Sequence, residues 1–310
     1  MLRRLAPALL AAFALATPAL ADEGMWTFDN FPIGRVNQTY GTRIDQAWLD
    51  RVRGASVRIP GCSASNVSPD GLVLTNHHCV VGCVQDLSNA QNDYVKNGWF
   101  TRARTEEKQC PGMTAEILTA ITDVTERVNR ASAGRTGAEF IKARDAETGR
   151  IEQEGCGADP TLRCQVVSLY RGGQHKLYRY RKYNDVRLVF APEFQAAFFG
   201  GDPDNFSFPR YALDAAFIRM YENGRPVSTP GHMRWNPQAP KPGDPVFVSG
   251  NPGSTNRLQT VAQLETLRDL VIPHQQLTRS ELRGRLIRFS QESEENRRIA
   301  TDPLFGNENS

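Results

Sequence analysis

The stretch Ser68-Pro69-Asp70-Gly71-Leu72-Val73-Leu74-Thr75-Asn76-His77-His78-Cys79-Val80 decides the reading of this chain. Its first four residues carry turn chemistry: proline presets one turn dihedral, and glycine admits positive φ. Upstream, Ser56-Val57-Arg58-Ile59 alternates polar and apolar residues, and downstream Leu72-Val73-Leu74-Thr75 is a short apolar run. Residues 55–81 therefore read as strands joined by a hairpin. The second strand ends in the polar pair Thr75-Asn76, and histidine follows at once. That places an imidazole at the rim of a barrel, where the backbone is rigid and the side chain can reach substrate, as a general base requires.

The segment resembles the catalytic-histidine segment of chymotrypsin-fold peptidases, in both the trypsin-like form Ala-Ala-His-Cys and the bacterial form Thr-Asn-x-His-x-Val. Both alignments select His78 rather than His77. In the trypsin-like form the cysteine after the histidine is bridged to one a strand hairpin earlier, and Cys62 lies 17 residues before Cys79. That bridge would leave Cys83 to Cys110. The six cysteines, Cys62, Cys79, Cys83, Cys110, Cys156 and Cys164, are an even set, and in an exported chain they read as disulfides. Cys156 and Cys164 are the local pair, although sequence alone leaves every pairing open. A zinc site on His77, His78, Cys79 and Cys83 is the competing reading. It lacks the second Cys-x-x-Cys or His-x-x-x-His pair that would complete a tetrahedral set, so no metal is expected.

The next chemical signal is Leu213-Asp214-Ala215-Ala216-Phe217-Ile218-Arg219. Here a carboxylate begins a buried strand, a placement that is costly unless the acid is hydrogen-bonded. An acid that orients a catalytic imidazole has that bond. The segment resembles the Asp-(Ile/Leu)-Ala-(Leu/Val)-Leu-(Arg/Lys) segment of the same fold. Asp202 and Asp204 are rivals, but they sit in a Gly-Gly-Asp-Pro-Asp turn. A third stretch, Lys241 to Gly253, reads as a turn, a strand at Pro245–Ser249, and a Gly-Asn-Pro-Gly turn.

The nucleophile turn of this fold, Gly-x-Ser-Gly, is missing from the sequence. Ser254 has no following glycine, and Ser63 precedes the histidine hairpin. A triad built on His78 and Asp214 therefore needs a serine from outside these residues.

Taken together, Thr75-Asn76-His77-His78-Cys79, Asp93-Tyr94, Pro111-Gly112 with Asp123-Val124-Thr125, Gly200-Gly201-Asp202-Pro203-Asp204-Asn205 and Pro252-Gly253-Ser254-Thr255-Asn256-Arg257 resemble the N-terminal portion of the bacterial dipeptidyl-peptidases of the 7 and 11 type. The resemblance implies a mainly β chain with helical insertions. Its core would be a chymotrypsin-like double β-barrel, the second barrel incomplete here, leading into an α-helical domain. The boundaries implied are 22–257 for the barrel region, with a helical insertion at about 89–150, and 258–310 for the start of the helical domain, the serine following far downstream. Members remove dipeptides from a free N-terminus, with the substrate ammonium held by an asparagine nine residues before the catalytic aspartate. Asn205 has that spacing to Asp214, and Phe206 stands where many members have tryptophan. A homodimer is also implied. The alternative is a catalytically inactive binding protein, or a fragment, on the same fold.

The rest of the chain narrows the setting. Arg3 and Arg4, the Ala- and Leu-rich run to Leu20, and Ala19-Leu20-Ala21 form a cleavable export signal over residues 1–21. The expected location is the periplasm or cell surface of a bacterium, with no membrane attachment after cleavage. Without that segment, 35 basic residues face 34 acidic ones, a balance that gives no electrostatic case for nucleic acid. Peptides are the expected partners, and no cofactor is needed. The pattern around Thr114-Ala115-Glu116-Ile117-Leu118 and Glu139–Glu147 predicts helix, and Val166–Phe190 and Ala215–Tyr221 predict strands. Leu258–Ala300 predicts a long helix broken or kinked at Pro273.

Overall fold

The computed structural model of the protein describes residues 25–198, 209, 211–253 and 258–308. The expected export segment 1–21 lies outside them. The strands are β1 (Ser56–Ile59), β2 (Cys62–Asn66), β3 (Leu72–Thr75), β4 (Trp99–Phe100), β5 (Lys108–Gln109), β6 (Ala115–Asp123), β7 (Leu162–Leu169), β8 (Gln174–Tyr183), β9 (Asp185–Ala191), β10 (Ala216–Glu222) and β11 (Arg225–Pro226). They form one sheet of 11 strands in the order β4-β9-β10-β3-β2-β1-β6-β8-β7, with β11 on β10 and β5 on β9. All the pairings are antiparallel. Helices hold a larger share of the described chain than strands do, so the mainly β expectation becomes a large antiparallel sheet with substantial helix around it.

Alternation along the strands makes the core. Val57, Val73, Val186, Leu188, Ile218 and Met220 are all fully buried at 0% exposure and belong to one cluster. Each such aliphatic side chain contributes roughly 1.5–3 kcal/mol relative to exposure. The hairpin before β3 is tied to β10 at Gly71, whose φ is +73°. A Cβ there would lie 3.0 Å from the carbonyl oxygens of Met220 and Val227. Both the dihedral and the close approach therefore demand glycine.

Beside that hairpin a polar cluster crosses the sheet. Arg219 on β10 donates from Nε to Glu107 Oε1 at 3.0 Å and from Nη1 to the Asp70 carbonyl at 2.9 Å. Tyr221 donates its hydroxyl proton to Glu107 Oε2 at 2.8 Å. Burial and that bond push the Tyr221 phenol up to about 12. Burial alone would raise the Asp70 carboxyl, but the Ser68 hydroxyl and the guanidinium groups of Arg219 and Arg104 hold it below its ordinary value. Removing Glu107 would take one of the two acids from the nearly buried Arg219, leaving Asp70 at 3.0 Å, and would leave the Tyr221 hydroxyl without its acceptor. Glu107→Ala is expected to cost about 3–5 kcal/mol of stability, measured by denaturant unfolding.

Three sequence expectations are corrected. Residues Thr114–Leu118 do not form helix: Ala115–Asp123 is β6, paired with β1 and along its length with β8. The β-branched residues Ile117, Thr119, Ile121 and Thr122 fit the pleat, and they outweigh the helical spacing of apolar residues among charges. Helices do flank this strand, at Val81–Leu87, Tyr94–Asn97, Thr125–Ser132 and Gly137–Cys156. The last of these covers the sheet edge: Glu152 accepts the β7 backbone proton of Val166 at 2.7 Å. Second, Pro245–Ser249 is not a strand but irregular chain, with Val246 and Val248 exposed. Strand propensity is realised only against a ladder partner, and none stands beside it among the described residues. Third, Pro273 does not break the C-terminal helical run. It occupies the first turn of Ile272–Ser290, where its missing N–H matters least, directly after a π-helical segment at Leu267–Val271.

The described residues divide into two compact units, those within 25–49 and 236–248 and those within 50–235 and 249–308. The smaller holds the helix Ile33–Tyr40 and a core of Val36, Ile44 and Leu49, with Phe247 packed edge-on to Phe31 and Trp48. The larger holds the whole sheet. Among the described residues no helix is long and apolar enough to cross a membrane.

Candidate active site

β3 and β10 are neighbours in the sheet although far apart in the chain, and their register decides the site. Thr75 pairs with Ala216. The residues leaving the C-terminal end of β3 therefore meet those entering β10, and Asn76-His77-His78 comes up against Asp214. A single 3₁₀ turn, His77–Cys79, follows immediately. It sends the two histidines in opposite directions. His77 is 1% exposed, whereas the His78 side chain is 52% exposed.

Asp214 accepts three hydrogen bonds from this turn. His78 Nδ1 lies 2.7 Å from Oδ2, the His78 backbone N–H donates to Oδ1 at 3.0 Å, and Asn76 Nδ2 donates to Oδ2 at 3.1 Å. Asn76 Nδ2 also reaches the Asp214 carbonyl at 3.0 Å. The carboxylate is thus anchored by donors that do not move with the imidazole. With the ring proton at Nδ1 facing the carboxylate, Nε2 is left with its lone pair outward, the arrangement of a base. Sequence reasoning singled out His78 and Asp214. It missed Asn76 as their third member, although the Thr75-Asn76 pair at the strand end was the available signal.

Three disulfides brace the larger unit: Cys62–Cys79, Cys83–Cys110 and Cys156–Cys164. The first joins the start of β2 to the residue after His78. Ligand atoms of Cys62, His78 and Cys79 lie within 4.8 Å of one another. Both sulfurs are bonded to each other, however, and a zinc site needs them as thiolates. Ser63 is engaged elsewhere, accepting the Asn251 backbone proton at 2.6 Å. Asn205 and Phe206 lie outside the described residues, as do Asp202, Asp204 and Ser254.

His77 faces inward, its ring 6.1 Å from that of Phe194, and its Nε2 has no hydrogen-bond partner among the described residues. Burial holds its imidazole below the ordinary value of 6.5, against the pull of Asp214. On acidification the unfolded chain takes up this proton before the folded chain does. The stability contributed by a neutral His77 is therefore fully present above the ordinary value and is lost as the pH falls below it toward the folded value. The thermal midpoint should drop between about pH 7 and 5, and His77→Gln should flatten that part of the profile.

The antiparallel sheet thus presents an oriented His–Asp couple at the ends of two adjacent strands, the pairing of base and orienting acid that triad hydrolases use. Comparisons with known proteins give the family of the chain. Residues 21–310 match the Peptidase S46 family, and the chain belongs to it. An Asp/Glu-specific dipeptidyl-peptidase of Porphyromonas endodontalis is 32% identical over 292 residues, covering 85% of this chain and 40% of the relative. Dipeptidyl-peptidase 7 of Phocaeicola vulgatus is 29% identical over 285 residues, covering 83% and 39%. The crystal structure of Porphyromonas endodontalis DPP11 in complex with the dipeptide Arg-Asp superposes with a TM-score of 0.78 at 25% identity, covering 93% of this chain and 45% of that one. The chain thus spans about 40% of the length of the curated relatives it matches.

Proposed function

We propose that the protein is a serine-type dipeptidyl-peptidase that releases dipeptides from the free N-terminus of peptides. The observation that carries this reading is the 2.7 Å contact between His78 Nδ1 and Asp214 Oδ2 at the mouth of β10, in a chain of the Peptidase S46 family. In the proposed reaction a serine outside these 310 residues loses its proton to His78 Nε2, and its oxygen adds to the carbonyl of the second substrate residue. The imidazolium, stabilised by Asp214, returns the proton to the leaving amine. Water then enters by the same base, frees the dipeptide and restores the serine. No metal or cofactor enters the cycle.

The dipeptide register follows from holding the substrate ammonium. Asn205 is the proposed acceptor, through its amide oxygen, with Phe206 as the aromatic wall beside it. The proposal extends to the finer architecture: a chymotrypsin-like double β-barrel over 22–257, its helical insertion within 89–150, and 258–310 as the start of a helical domain. It includes export through the segment 1–21 to the periplasm or cell surface, where disulfides form, and a homodimer. The balanced charge supports peptide rather than nucleic-acid partners.

The test is hydrolysis of a peptide series by the complete protein, followed by mass spectrometry. Release of dipeptides from free N-termini, blocked when the same peptides are acetylated, is the expected result. Cleavage indifferent to acetylation, or no cleavage of any peptide, would remove the proposal.

A further inference from the structure

The turn that carries His78 is backed by the segment that begins at Pro192, whose backbone hydrogen-bonds the buried His77 imidazole. His77 Nε2 has no partner among the described residues, so beyond the bond to the Pro192 backbone the ring is placed by what it touches. Phe194, 7% exposed, is the ring it meets, in an edge-on arrangement at 6.1 Å. Phe194 in turn stacks on Phe198 at 5.1 Å. Into this pair comes Phe305 from the helix Glu294–Glu308, its ring 4.6 Å from Phe194 and 5.1 Å from Phe198. The same helix lies against Val81–Leu87, which continues directly from the His77–Cys79 turn. The far C-terminal helix therefore reaches the back of the histidine turn by two routes, and Phe305 supplies the ring contact in one of them.

We infer that Phe305 is a positioning residue for the His78–Asp214 couple, acting through Phe194 and the buried His77. The inference rests on the reading of this site as a hydrolytic one. Its physical basis is that close-packed rings transmit displacement: a ring removed behind Phe194 leaves a void, and Phe194 relaxes into it. His77, bonded to the backbone two residues before Phe194 and in contact with its ring, follows. Its neighbour His78 then departs from the geometry that aims Nε2, which Cys62–Cys79 and the bonds to Asp214 hold from the other sides. Misplacements of this size are expensive in rate, about a hundredfold for an ångström.

The test compares wild type, Phe305→Ala and Phe305→Leu in the complete protein, with Phe289→Ala as a control on the neighbouring helix. Active sites are titrated with a fluorophosphonate, so that misfolded molecules are not counted. Phe305→Ala is expected to lower kcat per titrated site by at least about tenfold with KM within about twofold, Phe305→Leu to recover most of the loss, and the control to match wild type. A purely structural role would reduce the number of titrated sites and leave kcat per site unchanged, and that result would overturn the inference. Histidine ring resonances, assigned with His77→Gln, supply a readout independent of turnover. A shifted His77 resonance in Phe305→Ala supports the coupling. An unchanged one overturns it, even if wild type shows no hydrolysis and the functional proposal itself falls.

Discussion

His78→Ala in the complete protein is expected to abolish turnover, with kcat falling by about a million-fold while the fold is kept. A base that acts as one unit with its nucleophile takes nearly the whole chemical advantage with it when removed, and a loss on this scale is typical of such residues. The His78 side chain is 52% exposed and packs no core, so the substitution removes chemistry with little structure. The backbone N–H of residue 78 still donates to Asp214, and Asn76 still holds the carboxylate. Circular dichroism and the thermal midpoint should therefore stay close to wild type. Dipeptide release over a day-long assay measures the effect. A variant retaining more than a few per cent of wild-type rate would remove His78 from the chemistry.

Asp214→Asn is the second large effect, and here the geometry gives a specific reason. The two carboxylate oxygens accept from three donors: the His78 ring, the His78 backbone and the Asn76 amide. An asparagine amide has only one oxygen to offer. If its NH2 group takes the Oδ2 position, it confronts the Asn76 amide and turns the imidazole proton to Nε2, the wrong tautomer for a base. If it takes the Oδ1 position, it confronts the His78 backbone N–H. Either way a donor faces a donor, and the imidazolium of the reaction loses its counter-charge. A fall in kcat of about 10,000-fold is expected, with KM little changed, because the defect lies in the transition state. Raising the pH would not recover the wild-type rate, since the missing charge is not supplied by titration. A loss below about tenfold would assign the orienting role to another acid.

What the sequence disclosed depends on the range of the interactions involved. The hairpin at Ser68–Gly71 and the strand behind it are legible because turn chemistry and apolar alternation are local. The strand Ala216–Glu222 is legible for the same reason. That β3 and β10 lie side by side, with Thr75 opposite Ala216, is a long-range pairing that no local pattern reveals. The third donor, Asn76, is marked in the sequence only as the polar end of a strand, and its bond to Asp214 follows from that pairing. Glu107 and Arg219 are likewise ordinary charges in the sequence and become a buried pair only in the sheet. The misreadings have the same cause. Ala115–Asp123 is drawn into the sheet by β1 and β8, while Pro245–Ser249, strand-like in composition, lacks a partner among the described residues and stays irregular. Phe305 lies beyond the helical pattern read over Leu258–Ala300, and its role appears only through Phe194.

The most direct measurement is the intact mass of the complete protein after treatment with a fluorophosphonate, for wild type and His78→Ala side by side. The account predicts one adduct on wild type, on a serine outside these 310 residues, and none on the variant over the same time. An unlabelled wild type, or a variant labelled as fast as wild type, would contradict it.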